Sequence, residues 1–277
     1  MKTKYCYPAL SDKDLGWFRI GGPGLANCMF FAVNAYISAC KYTPGGGGNF
    51  VTPTWRKFSL GPILRGERDK RIYSSLFKDI GINGVKKKWI ILTKKIFNRK
   101  DVEVHHTLGN YFQNLNKDVP LVLEYFDKIL KDETVCKVDA QRMKGMVAVH
   151  VRLGDYVPEM RVDINWYREV IKNIIKEQPQ QRFALFSDGS DEELSPLLSI
   201  PNVERCFFGN AFADMWGISK SKFVIASDST FSAWGAFLGQ RPILFSKRHF
   251  PPVYDGKVPE AVIGTATNLP SDFKAYL

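Results

Sequence analysis

The sequence predicts an α/β protein whose C-terminal half is a doubly wound parallel sheet. Two observations predict this fold: continuous, partly β-branched apolar runs such as Met146–Leu153 and Arg182–Ser187, and the segments of helical periodicity that alternate with them. Strands that alternate with helices form parallel sheets. Ligands bind to such sheets beyond the carboxyl ends of the strands, so the loops directly after the strands are where chemistry is expected.

The predicted elements follow one another regularly after residue 146. A helix over Asp163–Glu177 separates the first two strands, and a capping box of Ser190 and Glu193 begins the next helix, Ser190–Ser199. The later elements are strand Val203–Phe208, helix Ala211–Lys220, strand Lys222–Ser227, helix Thr230–Leu238 and strand Pro242–Phe245.

The first half carries weaker signals. A strand is expected at Gly16–Ile20, followed by a helix from Leu25 to Lys41 and a later helix at Leu121–Lys131. We place a domain boundary between residues 140 and 141. The prediction is therefore an N-terminal domain over 1–140 and a C-terminal domain over 141–277.

Composition narrows the class of protein. With 45% hydrophobic and 24% charged residues, the chain is globular and neither disordered nor fibrous. The net charge of +11 favours an anionic partner: nucleic acid, a membrane surface or a phosphorylated substrate. Nucleic acid is not expected, because no zinc-finger or RNA-binding signature accompanies the basic segments Arg65–Arg71 and Lys86–Lys100.

The chain shows no targeting segment. Its first residues lack the apolar stretch of a signal peptide, and no apolar run is long enough for a transmembrane helix. The five cysteines have no metal-site spacing and fit a reducing compartment. We expect a cytoplasmic protein or a soluble catalytic fragment.

The basic segment Lys86–Lys100 has two interpretations. Seven basic residues surround the apolar ones, which include Trp89, Ile96 and Phe97. Such a helix lies on an anionic membrane surface, as a peripheral contact, or packs its apolar face while the lysines stay solvated. The sequence leaves both open.

Three strand-end loops hold polar residues that a fold does not require. In the first, His150 and Arg152 point to the same side of their strand. An arginine beside the glycine turn at Gly154 suits a bidentate grip on phosphate. The structural alternative is an ion pair between Arg152 and Asp155.

The other two loops have functional and capping interpretations that are compatible. Ser187 and Asp188 close the second strand, where a carboxylate could accept from the ring N–H and amino group of guanine, or cap the next helix. The loop after strand Lys222–Ser227 opens a helix and offers an anion site or a helix cap. Its candidate residues are Ser229, Thr230, Phe231 and Ser232.

A glycine-rich segment in the first half, Gly21–Asn27, lies between a predicted strand and a predicted helix. It is not a dinucleotide-binding fingerprint, but it allows close backbone approach to a ligand. Gly22, Gly24 and Asn27 are the candidates there for the acceptor side. No metal-binding motif is present, and none is expected.

Five segments in order resemble the α-1,2-fucosyltransferase family. His150–Tyr156 resembles its H-x-R-R-G-D-Y motif, and Phe186–Asp188 resembles its F-S-D-D segment. Further segments that resemble family motifs are Asp214–Ser219, Ser229–Leu238 and, near the N-terminus, Asn27–Phe30. The departures from the pattern include Leu153 and Gly189, where the family commonly has arginine and aspartate.

The resemblance implies a GT-B-like fold of two Rossmann-like halves that face a cleft. It implies an inverting, metal-independent glycosyltransferase that moves L-fucose from GDP-fucose to a hydroxyl, the 2-hydroxyl, of a glycan acceptor. No cofactor is implied. A transferase for another GDP-deoxyhexose, or an inactive GDP-sugar-binding module, is the alternative.

The same resemblance assigns roles to the candidate residues. Arg152 would hold the diphosphate and meet the charge on the departing GDP, with support from His150. Asp188 would read guanine, and the hydroxyls that follow Asp228 would bind phosphate. The general base stays open among Asp155, Glu159 and Asp163, with Asp155 favoured.

Overall fold

A computed structural model describes residues 4–43, 48–58, 73–154 and 156–277. Its contacts divide the chain into two units, Met1–Thr134 and Val135–Leu277. Across those described residues, none of the helices is both long and apolar enough to cross a membrane. The assignment of the acceptor to the first unit and of the donor to the second stays a prediction.

The first unit is built on short strands. They are β1 (Tyr5–Pro8), β2 (Lys13–Asp14), β3 (Arg19–Ile20), β4 (Lys57–Phe58) and β5 (Val102–His105). β1 pairs with β5 in parallel, and parallel bridges of Cys6 with Phe50 and of Val51 with Ile82 extend this sheet. β2, β3 and β4 form a separate small sheet. The strand expected at Gly16–Ile20 is therefore shortened to its last two residues.

The helices of this part of the chain include two, over residues 25–42 and 84–97, that pack against the parallel strands. The described α-helices are α1 (Leu25–Tyr42), α2 (Gly84–Phe97), α3 (Val119–Ile129) and α4 (Asp132–Val135). α1, predicted within one residue of its observed end, supplies the core: Phe30 packs edge-on to Phe112 and Tyr36 contacts Tyr125. The packing of α1, which buries twelve of its residues, outweighs its lack of a side-chain cap.

The second unit confirms the predicted alternation. Its elements are α5 (Ala140–Lys144), β6 (Met146–Val151), α6 (Ile164–Glu177), β7 (Arg182–Ser187), α7 (Asp191–Leu198), β8 (Val203–Arg205), α8 (Ala211–Ser219), β9 (Val224–Ala226), α9 (Thr230–Gly239), β10 (Ile243–Phe245), β11 (Glu260–Val262) and α10 (Ser271–Lys274). The strands form one six-stranded sheet in the order β11-β10-β9-β6-β7-β8, and every neighbouring pair is parallel.

This strand order creates a topological switch point. The chain runs from β6 outward through β7 to β8, and then returns to β9 on the other side of β6. All six residues of β6 are buried, as expected for a central parallel strand. His150 pairs in register with Ala226, so the ends of β6 and β9 meet at one edge of the sheet. Ligands bind to doubly wound sheets at this kind of crevice.

Two glycines let α9 pack closely against α8. A Cβ added to Gly235 would lie 2.5 Å from Ile218 Cγ2, and one added to Gly239 would lie 2.0 Å from the Ser219 carbonyl oxygen. A side-chain end can move, but the carbonyl of Ser219 moves only with its helix. Because α9 begins at the switch point, this contact fixes where its first turn lies.

We expect Gly239→Ala to lower the free energy of unfolding by about 1–3 kcal/mol, because the added methyl group overpacks the contact between α8 and α9. The measurement is urea unfolding followed by circular dichroism. Gly145→Ala is the matched control, since the added Cβ would lie 3.6 Å from the Arg142 carbonyl oxygen, an ordinary contact. Equal stability of the two variants would contradict close packing at Gly239.

Candidate functional site

His150 joins three elements at the carboxyl end of β6. Its Nδ1 lies 2.8 Å from the hydroxyl of Ser227, which directly follows β9, and its ring stacks on Phe231 in the first turn of α9 with centroids 5.0 Å apart. The side chain is buried, which lowers its pKa to about 3; Asp188 acts in the opposite direction and Arg152 in the same one. His150 is therefore neutral near pH 7, and it contributes packing and a hydrogen bond without charge.

Arg152 and Asp188 form an ion pair between the ends of β6 and β7. The Arg152 Nη1 lies 2.7 Å from Asp188 Oδ2, and the other carboxylate oxygen accepts from the Leu153 amide at 2.9 Å. The guanidinium carbon lies 5.5 Å from the ring centroid of Tyr156, within cation–π range. About a quarter of each charged side chain stays accessible to solvent. The ion pair thus holds the Arg152 guanidinium in one position, while part of its surface stays accessible to a ligand.

Two glycines make room for this approach of the strand-end loops. A Cβ at Gly154 would lie 2.3 Å from Asp188 Oδ2, and a Cβ at Gly189 would lie 2.6 Å from Leu153 Cδ1. Leu153 and Gly189, two of the departures from the pattern of the resembled family, therefore contact each other. A buried leucine and a glycine thus lie at the two positions where the resembled family commonly has an arginine and an aspartate.

The loop between β9 and α9 uses most of its polar groups within the fold. Ser229 caps α9 by accepting from the Phe231 amide at 3.2 Å, and Ser232 is fully buried and donates to the Ser229 carbonyl at 3.2 Å. Thr230 and Phe231 are partly exposed at the helix start. Of the predicted phosphate ligands, Thr230 and Phe231 are partly exposed, whereas the hydroxyls of Ser229 and Ser232 form hydrogen bonds within the first turn of the helix.

Asp228 connects this loop to its neighbours. Its Oδ1 accepts from the backbone and from Nδ1 of His249, at 2.9 and 2.7 Å. Its carbonyl accepts from the Tyr156 hydroxyl at 3.1 Å. Arg152, Tyr156 and the start of α9 are in this way linked by direct contacts across the switch point.

Ser187 and Arg205 fix the loop after β7. The Ser187 hydroxyl accepts from the Gly189 amide at 3.0 Å, and Arg205 donates to the Gly189 carbonyl at 2.6 Å. The observed contacts give Asp188 the role of positioning Arg152; its predicted role in reading guanine stays a prediction. Asp155, the favoured base and the alternative partner of Arg152, lies outside the described residues.

The sequence did not single out three residues of this site: Tyr156 as a bridge, Arg205 and His249. His249 lies in the segment that follows β10, so the rule that functional residues follow strand ends would have identified it as a candidate. Arg205 lies at the end of β8, and its partners, Ser187 and Gly189, lie at and after the end of β7. Predicting its role would therefore have required the order of the strands in the sheet.

The glycine-rich candidates belong to the first unit. Gly22 has φ +90°, and a Cβ there would lie 2.2 Å from the Leu10 carbonyl oxygen, so only glycine fits. The fully buried Arg19 holds this turn by donating to the carbonyls of Leu10 and Gly21 at 3.3 and 2.5 Å. Gly24 precedes α1, and Asn27 lies in its first turn. In the part of the chain that the structure describes, no group of three or more His, Cys, Asp or Glu residues is placed to hold a metal ion.

Comparison with known proteins identifies the family. The sequence model of glycosyl transferase family 11 matches residues 62–244, more than half of the chain. The chain therefore belongs to glycosyl transferase family 11, and it is a fucosyltransferase. No curated protein sequence matches it significantly.

Solved structures agree with the fold. The chain is similar to the NodZ α-1,6-fucosyltransferase from Bradyrhizobium soaked with GDP-fucose: 15% identity, TM-score 0.53, covering 82% of this chain and 92% of NodZ. The NodZ structure co-crystallised with GDP gives 16% identity and a TM-score of 0.51 with the same coverage. These likenesses and the six-stranded parallel sheet confirm the α/β, GT-B-like fold class.

The buried, neutral His150 predicts a pH dependence of stability. Its folded pKa of about 3 lies below the ordinary value of 6.5, so only the unfolded chain takes up this proton as the pH falls below 6.5. Between pH 7 and pH 5 we expect His150 to lower the free energy of unfolding by about 2 kcal/mol.

The measurement is urea unfolding of the protein and of His150→Asn at both pH values. All other titrating groups are shared, so the variant should lose about 2 kcal/mol less than the parent. Equal losses would show that His150 takes up its proton as readily in the folded state as in the unfolded chain.

Proposed function

We propose that the enzyme transfers L-fucose from GDP-fucose to the 2-hydroxyl of a glycan acceptor, with inversion and without a metal ion. One observation carries the proposal: Arg152 is held by Asp188 at the switch point of a parallel sheet, linked through Tyr156 and Asp228 to the loop that begins α9. The NodZ structures soaked with GDP-fucose and co-crystallised with GDP support a GDP-sugar donor for this fold.

Arg152 is proposed as the catalytic cation. When the bond between fucose and GDP breaks, negative charge grows on the departing diphosphate. Without a metal ion, this charge must be met by fixed groups, and a guanidinium already oriented by Asp188 needs little rearrangement to meet it. The amide groups and dipole of the first turn of α9 add to the same stabilisation.

His150 supports this site without adding charge. It holds Phe231 by stacking and Ser227 by a hydrogen bond, and so fixes the start of α9 against β6. Since it is neutral near pH 7, the proposal assigns the positive charge beside it to Arg152.

The acceptor hydroxyl must lose a proton during the transfer. Of the three candidate bases, Asp163 caps α6 by accepting from the Asn165 amide at 2.9 Å, so its carboxylate is engaged at a helix start. Glu159 lies exposed in a short 3₁₀ turn. Asp155 stays the proposed base because it follows Arg152 in the motif.

The 2-hydroxyl linkage is supported by the sequence motifs and not by the fold. NodZ is an α-1,6-fucosyltransferase, so other linkages occur on a similar fold. Two-dimensional NMR of the product distinguishes them: the linkage carbon identifies the hydroxyl, and an anomeric configuration opposite to that of the donor identifies inversion. A donor screen with other GDP-deoxyhexoses tests the choice of fucose.

We expect GDP to bind in buffer that contains EDTA, and UDP not to bind under the same conditions. The measurement is isothermal titration calorimetry. Binding of GDP only after addition of a divalent cation would contradict metal independence. Equal binding of GDP and UDP would contradict guanine recognition.

We expect Arg152→Ala to lower kcat at least about 10-fold, because a hydrogen bond to a charged group contributes roughly 1.5–3 kcal/mol. Arg168→Ala is the control, since this arginine lies on α6 and pairs with Glu169 at 3.2 Å. Both variants are assayed for transfer and checked for folding by circular dichroism. A folded Arg152→Ala enzyme with full turnover would rule out this role.

A further inference from the structure

Helix α2 has two apolar faces: one is buried against its unit and the other is exposed. Ile90 and Ile91 are buried against the unit, together with Lys87. Val85, Trp89, Leu92 and Ile96 recur at helical spacing on the opposite side and are 83%, 60%, 51% and 62% exposed. Scattered exposed apolar residues are ordinary, but a continuous stripe marks an interaction surface.

Aromatic residues outside the stripe enlarge this surface. Phe97 at the end of α2 is 71% exposed. The loop that carries Trp17 packs beside α2, because a Cβ at Gly16 would lie 3.2 Å from Lys88 Cγ, and Lys88 lies 5.9 Å over the Trp17 ring. Trp17 itself is 57% exposed. Tryptophan is the residue type enriched where protein meets the headgroup region of a bilayer.

Positive charge borders the stripe on both sides. At 100° per residue, Lys88 and Lys95 lie along one flank and Lys86 along the other, and all three are exposed. Residues 84–100 contain seven basic residues and no aspartate or glutamate. Arg99 pairs with Asp101, which directly follows this segment, so the surface combines an apolar ridge with an excess of positive charge carried by its lysines.

We propose that this outward face of α2 docks on an anionic phospholipid bilayer. The helix would lie in the plane of the membrane, with the apolar stripe among the headgroups and upper acyl chains and the lysines on lipid phosphates. Charge complementarity selects this occupant over a second copy of the chain. A two-fold contact of this face with itself would bring the same lysines together.

The test is flotation of the purified protein with unilamellar vesicles of phosphatidylcholine alone or with about 30% phosphatidylglycerol. We expect binding to the anionic vesicles that weakens as salt is added, and little binding to the neutral ones. No nucleotide sugar is present, so the result is independent of the proposed transfer reaction.

Two variants separate charge from apolar insertion. Lys86→Gln with Lys88→Gln should lower the partition coefficient about 30-fold, at roughly 1 kcal/mol per lysine. Lys172→Gln with Lys176→Gln on α6 makes the same change in net charge and should leave binding unchanged.

Trp89→Ser with Ile96→Ser should lower binding at least about 10-fold by removing apolar contact with the bilayer. Val262→Ser with Tyr276→Ser, which changes exposed residues of the second unit, is its control. Unfolding temperatures establish that each variant is folded.

Several outcomes would overturn the proposal. They are equal binding to neutral and anionic vesicles, an equal loss in the α6 lysine control, or no binding to either vesicle. Self-association in sedimentation that Trp89→Ser with Ile96→Ser abolishes, without vesicle binding, would show instead that this face pairs two copies of the chain.

Discussion

The carboxylate of Asp188 is the constraint on which the site of the second unit depends. One oxygen holds Arg152 and the other holds the Leu153 amide, so a single side chain joins the ends of β6 and β7 and aims the guanidinium. Around it, Gly154 and Gly189 lack the Cβ atoms that would crowd Asp188 and Leu153. Because these groups are set before any ligand arrives, little reorganisation is needed to meet an anion.

The sheet of the second unit was predictable because its strands are continuous apolar runs, whereas the helices between them show apolar residues at helical spacing. The sequence analysis did not predict β11, because Glu260–Val262 is only three residues long, too short to show an alternation of apolar and polar residues. In the first unit, most of the extended segments have only two to four residues, and residues such as Phe50 and Val51 join the sheet through single bridges. Such pairings are decided by tertiary packing, which local sequence patterns do not report.

The sequence predicted where in the fold the site residues lie, but it did not predict which of them contact one another. Arg152, Asp188 and Ser229 all follow strands, and parallel strands bring their ends to one edge. The sequence could not show that Arg152 pairs with Asp188, because that depends on the register of β6 with β7. Helix α2 packs through Ile90 and Ile91, as the packing interpretation of Lys86–Lys100 predicts, and it exposes a second apolar stripe. Contact of this segment with a membrane stays a prediction. The buried Lys87 of α2 has its pKa lowered to about 8 by burial.

The closeness of position 154 to the carboxylate at position 188 has a consequence for variation among relatives. A side chain at 154 and a carboxylate at 188 compete for the same space, since the Cβ would lie 2.3 Å from Oδ2. The two positions are therefore expected to covary. A relative that keeps the carboxylate in this position is expected to keep glycine at 154, whereas one that has lost the carboxylate is released from that restriction and has also lost the group that orients the arginine. A residue other than glycine at 154 would thus indicate, from sequence alone, a chain in which Asp188 and Arg152 are not arranged as they are here.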